Sequence, residues 1–306
     1  MKNHLILLLA VAALSACGPE DESLEAHLGT GAEALGAEAG PREGFVWLST
    51  GVRMHYVEQG RRDGPVLVLL HGYTDSYRSF DLDYPLLSRR YHVYALDQRG
   101  HGDSSRPGGG YSQSDFAADV VAFLDARGHR RATLVGHSMG SFIAQQVALE
   151  SPQRVQALVL VGSAPTARGN AVIADLKSVV DTLSDPIDPA FVRDFQASTF
   201  HRPIPSTFLD TAVAESLKVP ARVWKDALAG LAAEDHSTQL GSIRVPALVV
   251  GGDQDGIFSV AEQRALAEEL GRGRLLLYPD TGHAPHVERP ERFVADVTAF
   301  LDSLHP

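Results

Sequence analysis

Cysteine is nearly missing from this chain. Cys17 is the one copy among 306 residues, so an internal disulfide and a cysteine-based metal cluster are both excluded. No pair of histidines has helical metal-ligand spacing around a glutamate, and no metal is expected. The run Gly108-Gly109-Gly110 lacks the lysine and serine of a phosphate loop and reads as a turn. No cofactor is called for. Positive charge is also scarce. The formal net charge is −11, which leaves no basic face for phosphates and sets nucleic acid aside as a partner. No internal repeat is visible. What remains is ordinary for a globular chain with a sizeable core, 44% hydrophobic and 21% charged residues.

The N-terminus reads as an address. A short basic start, Met1-Lys2-Asn3-His4, precedes an apolar run, Leu5 to Leu14, too short to span a bilayer but long enough for a signal-peptide core. Leu14-Ser15-Ala16-Cys17 resembles the lipobox of bacterial lipoproteins, which implies a signal peptide at 1–16 and lipidation of Cys17. Gly18 stands where an aspartate would resemble an inner-membrane retention signal, so the expected location is the cell envelope, at the outer membrane. Residues 17–43 are rich in Gly, Ala, Glu and Pro with few large apolar side chains. Such a segment buries too little surface to offset its ordering entropy and reads as a tether.

From about residue 44 the pattern changes. Phe45–Ser49 and Val52–Glu58 flank Thr50-Gly51 as a hairpin. Pro65–Leu70, Tyr91–Leu96, Arg131–Val135 and Val155–Val161 are apolar runs of strand length, as are Pro246–Val250 and Arg274–Tyr278. Continuous apolar strands are buried on both faces. Helical patterns alternate with them around Ser79–Ser88, Ser112–Arg127, Met139–Glu150, Val260–Leu270 and Glu291–Leu304. This order predicts an α/β fold, a mostly parallel, doubly wound sheet covered on both sides. The alternation fails between about 164 and 236, where amphipathic stretches are separated by Pro186, Pro189, Pro203, Pro205 and Pro220. An excursion this long is no loop; it predicts a helical cap inserted over the sheet.

One stretch is not explained by folding alone. Gly136-His137-Ser138-Met139-Gly140 places a hydroxyl between two glycines where a buried strand becomes a helix with almost no loop. In that context Gly-x-Ser-x-Gly is a nucleophile elbow, in which the tight turn exposes the serine beside a helix N-terminus. Serine at its free pKa is a poor nucleophile and needs a base, oriented in turn by an acid. Two later strands end in Gly251-Gly-Asp253-Gln-Asp255 and Pro279-Asp-Thr-Gly-His283-Ala-Pro-His286, in the expected order of acid, then histidine.

With these motifs in order, the chain from 44 to 306 resembles the α/β-hydrolase superfamily with a helical cap. His71-Gly72-Tyr73 resembles its oxyanion loop, and Asp97–Ser104 its "DxRGxGxS" segment. Gly136–Gly140 matches the elbow, Gly252–Asp255 the acid loop, and Gly282-His283 with Glu288 and Pro290 the histidine loop. The overall pattern is similar to small esterases, lactonases and cofactor-free haloperoxidases. The resemblance implies Ser138 as nucleophile, His283 as general base and acid, and Asp255 as its orienting acid. The backbone N–H groups of Tyr73 and Met139 are implied as the oxyanion hole, with their side chains lining the pocket.

Neighbours compete for each role. Asp253 is a second acid, but the family pattern places the acid last in Gly-Asp-x-Asp. His286 is a second histidine, expected as a loop or surface contact because the family's base follows a glycine. His71, His101 and His137 are expected to be structural. Phe191, Phe195, Phe200, Phe208 and Trp224 of the cap are candidates either for a pocket or for packing. The expected reaction is hydrolysis of a small or medium, neutral carboxylic ester or lactone through an acyl-enzyme. Perhydrolysis and carbon–carbon or amide hydrolysis use the same residues, and for a peptide amine Glu234 and Asp235 are candidate partners. A non-catalytic ligand-binding lipoprotein is the other class. Aspartate-nucleophile hydrolases on this fold are disfavoured by Ser138. The membrane is a partner only through the N-terminal lipid.

Overall fold

The computed structural model describes residues 40–304; the expected signal peptide at 1–16, Cys17 and most of the segment read as a tether lie outside the described residues. The hairpin signal becomes β1 (Arg42–Trp47) and β2 (Arg53–Gly60), paired antiparallel. β3 (Val66–Leu70) and β4 (His92–Leu96) follow, with the one-turn helix α1 (Tyr84–Leu87) between them. Then come α2 (Gln113–Ala126), β5 (Ala132–His137), α3 (Met139–Glu150) and β6 (Val155–Val161). After the cap, β7 (Ala247–Gly252), α8 (Val260–Glu269), β8 (Gly273–Tyr278), α9 (Pro285–Glu288) and α10 (Pro290–Asp302) complete the described chain.

The sheet has eight strands in the order β1-β2-β4-β3-β5-β6-β7-β8. β2 pairs antiparallel with β4, and every pairing from β4 through to β8 is parallel. The apolar strands divide their side chains between two cores, one per face. Val68 and Leu70, Leu158 and Leu160 join the core under α2 and α3, while Leu67, Leu69, Val159 and Val161 join the core that includes Phe293 and Val297 of α10. Each such fully buried side chain contributes about 1.5–3 kcal/mol, which is why these strands carry no polar alternation.

The helix expected over Ser79–Ser88 is instead a short 3₁₀ turn, Tyr77–Phe80, followed by α1. Pro85 lies in the first turn of α1, where its missing N–H costs nothing, so it restarts the helix there instead of continuing an earlier one. β5 also runs two residues past its apolar run, and Gly136 and His137 pair with Leu160 and Val161. The strand therefore delivers the elbow directly.

Between β6 and β7 lie α4 (Ala171–Val180), α5 (Pro189–Ser198), α6 (Ser206–Leu217) and α7 (Ala221–Ala232). Pro189 opens α5, and Pro205 and Pro220 sit at the N-caps of α6 and α7. Asn170 and Asp188 accept backbone N–H groups at the starts of α4 and α5. α4 packs on α7 and α5 on α6. A β-bridge between Thr166 and Asp235 ties the two ends of the excursion together.

Candidate active site

Ser138 stands between β5 and α3 with φ 51° and ψ −118°, a backbone region that costs a side-chain-bearing residue on the order of 1–3 kcal/mol. The turn is held from both sides. Ser138 N–H donates to Val161 O at 2.9 Å, and the Ser138 carbonyl accepts Ser141 Oγ at 2.6 Å. The flanking glycines are sterically required. A Cβ on Gly136 would lie 2.2 Å from Gly140 O, and one on Gly140 would lie 2.1 Å from Leu70 O.

The acid and histidine loops meet beside the elbow. His283 Nδ1 lies 2.9 and 3.1 Å from the two carboxylate oxygens of Asp255. The side chains are 2% and 1% exposed. A carboxylate can only accept, so Nδ1 carries the ring proton, and Nε2 is the basic nitrogen. Nε2 has no hydrogen-bond partner among the described residues, and His283 lines the same cavity as Ser138. Asp255 is held in turn by N–H groups of Ile257 and Phe258, at 2.8 and 3.1 Å. Asp253 bonds Gln254 and does not reach His283.

The histidine and acid loops are fastened by three further polar groups. Glu288, 8% exposed, accepts Gly282 N–H at 2.9 Å and Arg202 N–H at 2.8 Å. His283 N–H donates to Thr199 O at the end of α5, 3.0 Å away. Gln263 bridges the acid loop, donating to Phe258 O at 2.8 Å and Gly252 O at 3.2 Å. Glu288 was visible as a motif position; Thr199 and Gln263 had no local signal.

On the other side, His71 braces the Tyr73 loop. Its Nε2 accepts Gln98 N–H at 3.0 Å, so Nδ1 donates to Gly72 O at 2.8 Å. Burial lowers its pKa to about 4, keeping the ring neutral as this double bond requires. Burial likewise lowers His101 to about 3, and its Nδ1 bonds Arg99 O. His137 is driven well below the usual range by burial, and its Nε2 donates to His283 O at 3.2 Å. Tyr73 Oη donates to Trp224 O of α7 at 2.7 Å, and burial raises the phenol well above its ordinary pKa. Met139 heads α3, so its N–H is one of the donors a helix leaves outside its own ladder.

Three expectations need correction. His286 is no surface contact. It is fully buried, packed 4.4 Å from His137, 4.9 Å from Phe80 and 6.0 Å from Phe293 by ring centroids. Pro285 starts α9 there and turns the residue inward. Met139 contributes its side chain to the core and not to the cavity wall, whereas Tyr73 does line it. Glu234 and Asp235 are not cavity acids. Glu234 is 2.9 Å from His236 Nε2, and Asp235 accepts from Ser237.

Ser138 and His283 line one cavity, closed over by side chains of the cap helices. Ile173 and Leu176 of α4, Leu228 and Leu231 of α7, and Ile257 with Phe258 supply apolar wall. Of the five cap aromatics, Phe195, Phe200 and Phe208 line it, while Phe191 and Trp224 pack against one another at 5.8 Å. Elsewhere, His55, Asp97 and Asp103 bring ligand atoms within 4.8 Å of one another. Asp97 is already used as a brace, accepting Tyr77 N–H at 2.7 Å, Asp103 N–H at 2.9 Å and the His55 ring.

Comparison with known proteins agrees with this architecture. The description "Alpha/beta hydrolase family" fits residues 67–297, and the chain belongs to that family. It is 30% identical over 284 residues to a non-heme chloroperoxidase of Streptomyces lividans, covering 85% of this chain and all of that protein. It is 27% identical to 3-oxoadipate enol-lactonase 2 of Acinetobacter baylyi, over 82% of this chain and 93% of the relative. A hydrolase structure from Pseudomonas aeruginosa superposes with a TM-score of 0.76 at 27% identity, over 86% of this chain and 99% of the other. The protein is thus an α/β-hydrolase enzyme with lactonase- and haloperoxidase-like relatives.

Proposed function

We propose that the protein is a serine hydrolase that cleaves a small or medium-sized carboxylic ester or lactone through an acyl-enzyme. The observation that carries this reading is the His283 ring. Asp255 occupies Nδ1, and Nε2 is left as a base on the cavity that Ser138 also lines. Ser138 Oγ attacks the carbonyl carbon while its proton passes to Nε2. The tetrahedral oxyanion accepts N–H groups of Tyr73 and Met139, about 3–4 kcal/mol of transition-state stabilisation per donor. The carbon–oxygen bond to the leaving group then breaks, and the departing alkoxide takes the proton from His283. Water, deprotonated by the same nitrogen, releases the acid and restores the serine. Asp255 stabilises the imidazolium in both halves.

Rapid mixing with an activated ester tests the reading. A burst of alcohol equal to the enzyme concentration, with an acyl mass on the Ser138 peptide after acid quench, is expected. Steady turnover without such an adduct contradicts it. The chloroperoxidase name of one relative favours a second reading, in which hydrogen peroxide replaces water in deacylation and a peracid is released. The ratio of peracid to acid formed at fixed peroxide separates the two.

We also infer from the lipobox-like Leu14–Cys17 that the mature enzyme is lipid-anchored at Cys17 in the cell envelope. Labelling of the full-length protein with radioactive palmitate, lost in Cys17→Ala, is the expected result.

A further inference from the structure

Asp75 lines the cavity with Ser138 and His283, yet the proposed mechanism does not use it. Its Oδ1 accepts Gln196 Nε2 of α5 at 2.9 Å. Gln196 is 3% exposed and also donates to Ser216 Oγ of α6 at 2.8 Å. Oδ2 lies 2.9 Å from the point where Gly72 would carry a Cβ, and Nδ1 of His137, the residue before Ser138, lies 2.9 Å from the same point. The carboxylate therefore sits against the backbone just past β3, next to the elbow.

Other charges in this wall are compensated. Glu215 has Lys218 at 3.0 Å, and Arg78 has Asp81 at 3.0 Å. No lysine or arginine pairs with Asp75 among the described residues, and the ionisable neighbour acting on it is His283. Burial pushes its carboxyl up to about 6, against the opposing effects of Gln196, His283 and the Gly72 backbone. A latch between loop and cap does not require this charge. Asparagine would accept the same Gln196 N–H without the desolvation cost of an ion. An anion kept in a substrate cavity is instead suited to accept a strong, charge-assisted hydrogen bond, and it repels an anionic ligand.

Building on the serine-hydrolase reading, we propose that Asp75 is a specificity residue that accepts a hydrogen bond from a substrate hydroxyl a few bonds from the ester. The preferred substrates are then hydroxyl-bearing esters, taken in preference to hydrocarbon or anionic ones. The apolar wall holds the rest of the molecule.

Two matched pairs test this, methyl 3-hydroxybutyrate against methyl butyrate and 2-hydroxyethyl butyrate against propyl butyrate, followed by pH-stat at pH 8. For at least one pair, the wild-type ratio of kcat/KM, hydroxylated over plain, is expected to exceed roughly 10. That ratio is expected to fall roughly 10- to 100-fold in Asp75→Asn, mainly through KM. Wild-type ratios near one in both pairs overturn the proposal, whether or not the variant folds. So does an equal loss on both members in Asp75→Asn, which would mean that Asp75 acts through His283. Fluorophosphonate labelling in parallel keeps the two levels apart. An unlabelled wild type is a failure of the serine-hydrolase reading; a labelled wild type with no hydroxyl preference is a failure of this inference alone.

Discussion

His283 Nδ1 lies 2.9 Å from Asp255 Oδ2, and both side chains are almost sealed from solvent. The two residues are 28 positions apart and reach each other from the ends of β7 and β8. The contact sets the tautomer of the ring and leaves Nε2 as its unprotonated nitrogen.

Asp255→Asn removes the acceptor that holds that tautomer. We expect kcat to fall roughly 10³- to 10⁴-fold with the fold intact. Asp253→Asn, which disturbs no contact to His283, is expected to change kcat less than about threefold. Steady-state kinetics on one activated ester compares the two, and a larger loss at Asp253 would reverse the assignment.

Glu288 acts on the same ring from a distance, by holding Gly282 N–H and Arg202 N–H. Glu288→Ala leaves those donors without their acceptor and loosens the loop before His283. A roughly 10- to 100-fold loss in kcat with little change in KM is expected. Glu288→Gln retains an acceptor and should restore most of the rate. Equal loss in both variants would point to the charge instead of the loop geometry.

The apolar walls from α4 and α7 predict a chain-length series. Burial of one methylene contributes about 0.8 kcal/mol, so kcat/KM for p-nitrophenyl esters should rise roughly three- to fourfold per carbon from acetate onward. It should level off or fall once the cavity is filled. A flat series would mean that the acyl chain does not enter this cavity.

Asp75 gives a pH-dependent stability difference. Its carboxyl titrates near 6 in the fold and near its ordinary value, about 3.9, when unfolded. Below that lower value both states are protonated and the group has no effect. As pH rises toward 6, the unfolded chain ionises first, so the native state loses stability by an amount on the order of 1–3 kcal/mol. Asp75→Asn removes this loss. Its stability relative to wild type should therefore rise between about pH 4 and 6 and stay raised above that, as read by denaturant melts across pH.

Much of this site is legible in one sequence because its parts are local. The elbow is five consecutive residues, the acid and histidine each follow an apolar strand, and the prolines at 189, 205 and 220 mark cap-helix starts. What is not legible depends on closure across the fold. Gln196 meets Asp75 across 121 positions, and Thr199 meets His283 from a different domain layer. The burial of His286 is not legible because hydropathy cannot show that a one-turn helix directs it among Phe80, Phe293 and His137.

The proposed mechanism requires Ser138 to be an activated nucleophile. Treatment of the protein truncated to residues 40–306, which keeps β1 whole, with an alkyl fluorophosphonate, followed by peptide mass spectrometry, is the decisive measurement. A single adduct on Ser138, formed with loss of fluoride, is expected, absent in Ser138→Ala and strongly slowed in His283→Ala. A folded protein that takes no label, or takes it on another residue, would contradict it.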